Sequence, residues 1–301
     1  MFKNLFKPKK AKKLDSRRVQ SAENRSLRRG SYCQYEPPSQ GSVSRQLSIP
    51  SAAQLLGLFG FQRSPRKIEV FVRHCNYSSV SAHKARFADF SKERCLHNLL
   101  ATLENQSGIN LTFFLDTFHP MMQGEHFLKT HYRFPVIELK GGSECASFLH
   151  MLEYVYKQNF SDDTILYFLE DDYLHLPQWP QVLREAFTLP DIDYVTLYDH
   201  KDKYFFPQYD SLRSKILHTA SCHWRTTPST TNTYAMLSKT LKKHIDIHRC
   251  YSLGRTITAD HEKFCKLAEE GAVLISSIPG FSTHSEPDYA SPCRDWEKIP
   301  F

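Results

Sequence analysis

The sequence predicts an α/β protein with a mainly parallel central sheet and helices on both faces. Three observations carry that expectation. From Lys67 onward, short β-branched and aromatic runs alternate with segments of helical period. Strand following helix in this order favours parallel pairing with crossovers over the two faces. Polar and acidic residues also gather directly after the strands, where open α/β sheets bind their ligands.

Each element has a local cause. Ile68–Arg73 is a short run of β-branched and aromatic residues and reads as a buried strand. Ser91 caps a helix whose Leu96, Leu99, Leu100 and Leu103 recur at helical spacing. Leu111–Leu115 is a second strand ending at Asp116, and Val136–Leu139 a third. Gly141-Gly142-Ser143 opens a helix with Phe148, Leu149, Leu152 and Val155 on one face. Thr164–Leu169 forms a fourth strand, running straight into Glu170-Asp171-Asp172, and Tyr194–Tyr198 a fifth. Later, Thr258–Phe264 starts a helix with Phe264, Leu267 and Ala268 inward, and Val273–Ile278 is a last strand. The strand-end rule then groups Arg73, Asp116, Gly141–Glu144 and Glu170–Asp172 as one site.

Charge separates two regions. The chain of 301 residues carries a formal +7. Residues 1–66 hold 14 Lys+Arg against 3 Asp+Glu, a balance of +11. Residues 67–301 hold the other 25 against 29, a balance of −4. The first segment has no sustained period before Ala52–Phe61 and reads as a disordered basic tail. Its Phe2, Leu5 and Phe6 beside lysines could touch an anionic membrane, and the same lysines could serve as a nucleic-acid patch or import signal. The acidic body is a poor nucleic-acid binder, so no nucleic-acid partner is expected. No apolar run approaches the roughly 20 residues of a membrane span, which places the expected enzyme in the cytoplasm, at most peripheral to a membrane. The eight cysteines form no C-x-x-C pair, which excludes zinc ribbons and thioredoxin-like motifs and leaves scattered, reduced core thiols.

Three carboxylates after one buried strand would repel one another and resist desolvation. A divalent cation resolves this, and a diphosphate completes its oxygen coordination. The plainer alternative is an acidic turn that favours a following helix. The segment Leu169-Glu170-Asp171-Asp172-Tyr173-Leu174-His175-Leu176-Pro177, followed by Trp179 and a short helix, resembles the metal-binding DxD region of GT-A nucleotide-sugar glycosyltransferases. Its nearest pattern is the EDD-plus-Pro segment of the N-acetylglucosaminyltransferase I type, and the likeness runs in order over roughly residues 67–290.

The resemblance implies a GT-A, Rossmann-like fold and a nucleotide-diphosphate sugar donor. It implies Mn2+ or Mg2+ at Asp172, with Asp171 near the ribose and Glu170 near the sugar. It sets Asp116 against the base and Gly141, Gly142 and Ser143 over the nucleotide; the strand-end rule adds Arg73. His284, in the Gly/Pro-bounded stretch after the last strand, matches a second metal ligand. Asp260, before the late helix, matches the base of inverting members, with Glu262 in reserve; Asp260 reads equally well as a helix N-cap. Trp224 and Arg225 lie in a run dense in hydrogen-bonding and aromatic residues and suit acceptor or sugar contact. The acceptor is left open between a glycan, a lipid-linked hydroxyl and a protein. The sequence departs from Golgi members in having no membrane anchor, and its acids are contiguous rather than spaced. A metal-dependent nucleotidyltransferase needs the same acids, and a non-enzymatic nucleic-acid binder acting through the tail is the alternative of another class.

Overall fold

The computed structural model describes residues 65–78, 80–119, 125–130 and 132–299. The expected tail lies outside the described residues up to residue 64.

The first half follows the sequence closely: β1 (Ile68–Cys75), α1 (Lys92–Ala101), β2 (Ile109–Asp116), the short α2 (Phe127–Thr130), β3 (Val136–Leu139), α3 (Glu144–Lys157) and β4 (Ile165–Glu170). Ser91 caps α1 by accepting from the Arg94 amide at 2.9 Å, and Ser143 caps α3 by accepting from the Ala146 amide at 3.2 Å. Next come β5 (Tyr173–His175), α4 (Trp179–Ala186), β6 (Tyr194–Thr196), β7 (Ile216–His218), β8 (His223–Thr226) and β9 (Tyr234–Leu237). The chain then forms α5 (Ser238–Cys250), α6 (Asp260–Glu269), β10 (Leu274–Ile278) and β11 (Ser282–His284).

Nine strands make one sheet in the order β3-β2-β1-β4-β9-β6-β10-β8-β7. Seven share one direction; β8 and β9 run against them. The sheet is therefore mainly parallel, as expected, with antiparallel strands inserted in its second half. Side chains of β1 alternate across it, Ile68, Val70 and Val72 to one core and Phe71 to the other. The first core takes Leu96 and Leu99 of α1 and Trp179, Val182 and Leu183 of α4. The second takes Phe148, Leu152 and Val155 of α3, Leu241 and Ile245 of α5, and Phe264 and Leu267 of α6. Trp179 is fully buried, and its indole N–H reaches the Thr102 hydroxyl at 2.9 Å. Such a side chain contributes about 3–5 kcal/mol against truncation to alanine.

The structure corrects five expectations. The fifth strand stops at Thr196 rather than Tyr198. Ala268 faces outward, and Lys263 takes the inward position on α6 instead. The 223–232 run is not all loop: His223–Thr226 is β8, whose buried Trp224 and Arg225 break the alternation expected of a half-exposed strand. The stretch holding His284 is a strand, antiparallel to β5, with His284 paired to Tyr173. The seven cysteines among the described residues are free, but Cys250 and Cys293 are exposed rather than in a core.

Candidate active site

A cleft of about 680 Å3 opens across the carboxyl ends of β1, β2, β4 and β6, where the strand-end rule puts it. At one end the chain turns from β3 into α3 around Asp116. Its carboxylate accepts from the amides of Phe118 at 3.0 Å, Gly141 at 3.1 Å and Gly142 at 3.0 Å, and from the Ser147 hydroxyl. A Cβ on Gly141 would lie 2.8 Å from an Asp116 oxygen, so only glycine lets the turn close on the carboxylate. Gly142 sits at φ +70° with the Phe118 ring against it. Asp116, Gly142 and Ser143 line the cleft, but the Asp116 oxygens already serve four donors that shape the turn.

Midway along the sheet order stands the acidic triplet. Glu170 receives the Arg73 guanidinium at 2.6 Å, and the same guanidinium lies 3.6 Å from Glu144. Burial raises Glu170 to about 7; Arg73 opposes the rise, and the carboxylates of Glu144, Asp172 and Asp260 add to it. One oxygen of Asp171 collects the Cys75 amide at 3.1 Å, the Lys92 ammonium at 2.8 Å and His74 Nδ1 at 3.0 Å. Burial holds His74 down to about 4 against the pull of Asp171, so the ring is neutral and donates this proton.

Asp172 differs from both neighbours. Its Oδ2 is 2.9 Å from Arg86 Nη2 and 2.9 Å from His284 Nε2, while its Oδ1 is buried without a hydrogen-bond partner. The pairing of β5 with β11 brings His284 there. The other nitrogen of His284 is 3.2 Å from Glu286, which in turn is 3.2 Å from Lys84. Burial alone would lower His284; Asp172 and Glu286 outweigh it and raise the imidazole to about 9. Burial would likewise raise Asp172, yet His284 and Arg86 hold it well below the carboxylate range.

A divalent cation at Asp172 would have to displace Arg86 and the proton that His284 carries, because a ligating imidazole is neutral. Adjacent octahedral ligands with bonds of about 2.1 Å lie about 3 Å apart, and a carboxylate behind the second nitrogen of a ligating histidine is the usual support. Among the described residues, no group of three or more His, Cys, Asp or Glu side chains has the spacing to hold a metal by itself. A cation here would draw its remaining ligands from substrate and water.

Asp260 also lines the cleft. It is the first residue of α6 rather than its cap; Ala259 holds the cap position and makes no side-chain bond there. Asp260 Oδ1 accepts from Lys263 Nζ at 3.0 Å, and Oδ2 lies 3.1 Å from the Thr258 hydroxyl, itself 3.0 Å from Glu144. Lys263 is 1% exposed, and its ammonium also donates to Asn232 at 2.7 Å. Glu262 is exposed and does not line the cleft.

The structure brings Arg73, Asp116, Gly142, Ser143, Glu170, Asp171, Asp172, Asp260 and His284 to one cleft. Gly141 supports it from behind. Trp224 is fully buried in the core, with its indole N–H 3.2 Å from the Thr219 hydroxyl. Arg225 is buried against Asp199 at 2.7 Å. Neither lines the cleft, because β8 lies two strands past β6, on the far side of β10. The sequence reading missed Arg86, Lys92, Glu286, Thr258 and Lys263. Lys263 alone left a trace, a lysine on the inward stripe of an amphipathic helix.

No protein-family model matches the chain, and no curated protein matches it in sequence. Among solved structures it is similar to S. aureus TarS 1–349, with 11% identity, a TM-score of 0.43, and 72% of this chain and 59% of that one covered. It is also similar to CMP:2-keto-3-deoxy-manno-octonic acid synthetase complexed with CTP, with 11% identity, a TM-score of 0.42, and 74% and 94% covered. A third is 4-diphosphocytidyl-2C-methyl-D-erythritol synthase from Anaerococcus prevotii, with 9% identity, a TM-score of 0.40, and 79% and 91% covered. No helix among the described residues is long and apolar enough to cross a membrane.

Proposed function

We propose that the protein is a metal-dependent glycosyltransferase of GT-A type, moving a sugar from a nucleotide-diphosphate donor to an acceptor hydroxyl with inversion. The observation that carries this reading is Asp172: a buried carboxylate with one oxygen shared by two cationic groups and the other without a partner. Asp172 and His284 would hold Mn2+ or Mg2+, which when bound neutralises charge on the donor diphosphate.

The chain's own residues do the rest. The turn at Gly142 and Ser143 supports the nucleotide, and Lys92 and Arg73 add positive charge beside the acids. Asp260, fixed by Lys263 and Thr258, accepts the proton of the acceptor hydroxyl. The acceptor oxygen forms its bond to the anomeric carbon. The bond from that carbon to the diphosphate oxygen breaks, and its electron pair leaves with the nucleoside diphosphate. A single base on the acceptor side gives inversion.

The test is incubation of the full chain with a panel of nucleotide sugars, with and without Mn2+, scoring released nucleoside diphosphate. Release that needs the metal and is lost in Asp172→Ala supports the reading. Release of pyrophosphate from a nucleoside triphosphate and a sugar phosphate would make the protein a nucleotidyltransferase. Nucleic-acid binding that resides in residues 1–66, falls steeply with salt, and occurs without turnover of any donor would favour the non-enzymatic alternative.

A further inference from the structure

The cleft has two ends, and only one is accounted for by a nucleotide. Asp116, Gly142 and Ser143 ring the first, at β2 and β3. Past the acidic triplet, beyond β6, the second end is walled by Tyr198, His200, Phe206 and Tyr289. This wall consists of two short 3-10 turns, Lys201–Tyr204 and Pro287–Tyr289, with the Phe205-Phe206 pair that follows the first.

The rings are grouped. Phe205 and Phe206 are 4.7 Å apart, and each is 6.2 Å from Tyr289. His200 lies 5.7 Å from Tyr289 and 4.8 Å from Tyr198. Phe205, Phe206 and Tyr289 belong to neither hydrophobic core, and Phe205 is 48% exposed. Aromatic side chains grouped at the mouth of a polar cleft, without a core to serve, mark a contact surface.

The wall is anchored from beneath. The Tyr198 hydroxyl donates to the Tyr289 carbonyl at 2.6 Å, tying the second turn to the segment that follows β6. Buried Asp199 accepts from the Tyr204 hydroxyl at 2.6 Å and from Arg225 at 2.7 Å, and the Arg225 guanidinium lies 4.9 Å from the Tyr204 ring centre. Arg225, read from the sequence as a sugar contact, thus holds the turn that carries the rings. A rigid aromatic surface binds with little ordering loss.

Beside the rings the cleft is lined by polar and charged groups: Asp202, 2.9 Å from the His200 ring that burial keeps neutral, and Glu286 paired with Lys84 at 3.2 Å. An acyl chain would strip water from those charges without replacing it. A pyranose suits both features, laying its C–H face on a ring and turning its hydroxyls to the polar groups. The geometry points to Phe206 and Tyr289 as the binding surface for a carbohydrate acceptor, so that the hydroxyl receiving the transferred sugar belongs to a glycan. This rests on the glycosyl-transfer reading and narrows it.

Saturation-transfer NMR on the full chain tests it, with the methyl glycosides of glucose, galactose, mannose and N-acetylglucosamine as probes and Mn2+ plus nucleoside diphosphate present. At least one probe should show saturable transfer to its ring protons. Its apparent affinity should weaken about three- to tenfold in Phe206→Leu and in Tyr289→Leu, the contribution of one stacked ring. Thermal unfolding confirms that both variants are folded, and Phe206→Tyr, which keeps the ring, should retain binding. Absence of saturable transfer from all four probes overturns the inference, as does equal binding by the leucine variants. Donor turnover is scored separately. Turnover without glycoside binding removes the subsite and leaves the transferase; glycoside binding at the rings without turnover does the reverse.

Discussion

Asp116 and Asp172 each end up buried at the mouth of the same cleft, but in opposite surroundings. Asp116 meets four neutral donors, three of them backbone amides, so both of its oxygens are satisfied and the turn around it is fixed. Asp172 meets two cationic groups on one oxygen and nothing on the other. Carboxylates saturated by the backbone build a scaffold, whereas those balanced by movable charges are available for chemistry. The two carboxylates of this cleft can be separated on that basis.

The sharpest test of the contrast is Asp172→Ala. Donor turnover should fall about 10³-fold, since the diphosphate charge goes uncompensated. Retention of full, metal-dependent turnover would remove Asp172 from the chemistry. Asp260→Asn keeps the shape and removes the base, and kcat should fall about 10²-fold or more with donor KM within about twofold. Equal losses in kcat and donor affinity would instead make Asp260 part of the donor site.

Asp116→Ala should act through stability. Four donors lose their acceptor, and denaturant unfolding should show a loss of about 2–3 kcal/mol. A variant that is fully stable yet inactive would place Asp116 with Asp172 rather than opposite it.

Smaller again is the acid response of the core. Burial lowers His175 to about 3, beside the Tyr167 hydroxyl at 2.8 Å, from an ordinary value of 6.5. The native ring stays neutral while the unfolded chain takes up a proton below pH 6.5. Its contribution is therefore complete above that pH and declines as pH falls, by about 2 kcal/mol at pH 5. Chemical denaturation at pH 7 and pH 5 measures the combined loss of the buried histidines, and His175→Gln should reduce it by about 2 kcal/mol. Smallest is Glu262→Gln, on the exposed face of α6, where turnover should stay within about twofold and stability within about 0.5 kcal/mol.

The same contrast explains what could be read from the sequence. Parallel βα units reveal themselves locally. Ser91 and Ser143 cap their helices, β3 has the expected bounds, and the acidic triplet starts at the last residue of β4, where its hydrophobic run ends. The second half depends on distant pairing. Three-residue strands such as β5 and β11 are too short to show a period. Trp224 looked like part of a polar loop because its neighbours are polar, yet β8 is flanked in the sheet by β10 and β7 and its indole packs into the first core. Arg86 and Lys92 reach the acids through tertiary contact alone, 86 and 79 positions away. Asp172 and His284 were chosen for their chemistry; what joins them is a register that no local signal contains.

That register has a consequence for how the gene can change. His284 stands beside Asp172 because Ser282, Thr283 and His284 pair with His175, Leu174 and Tyr173. Adding or deleting one residue between Ile278 and Ser282 would shift this pairing by a step and turn the imidazole to the opposite face of the ribbon. The largely exposed stretch 210–214, ahead of β7, carries no such requirement. Length variation among distant relatives should therefore collect in the latter and be absent from the former, making the interval from Ile278 to His284 a fixed ruler for aligning them.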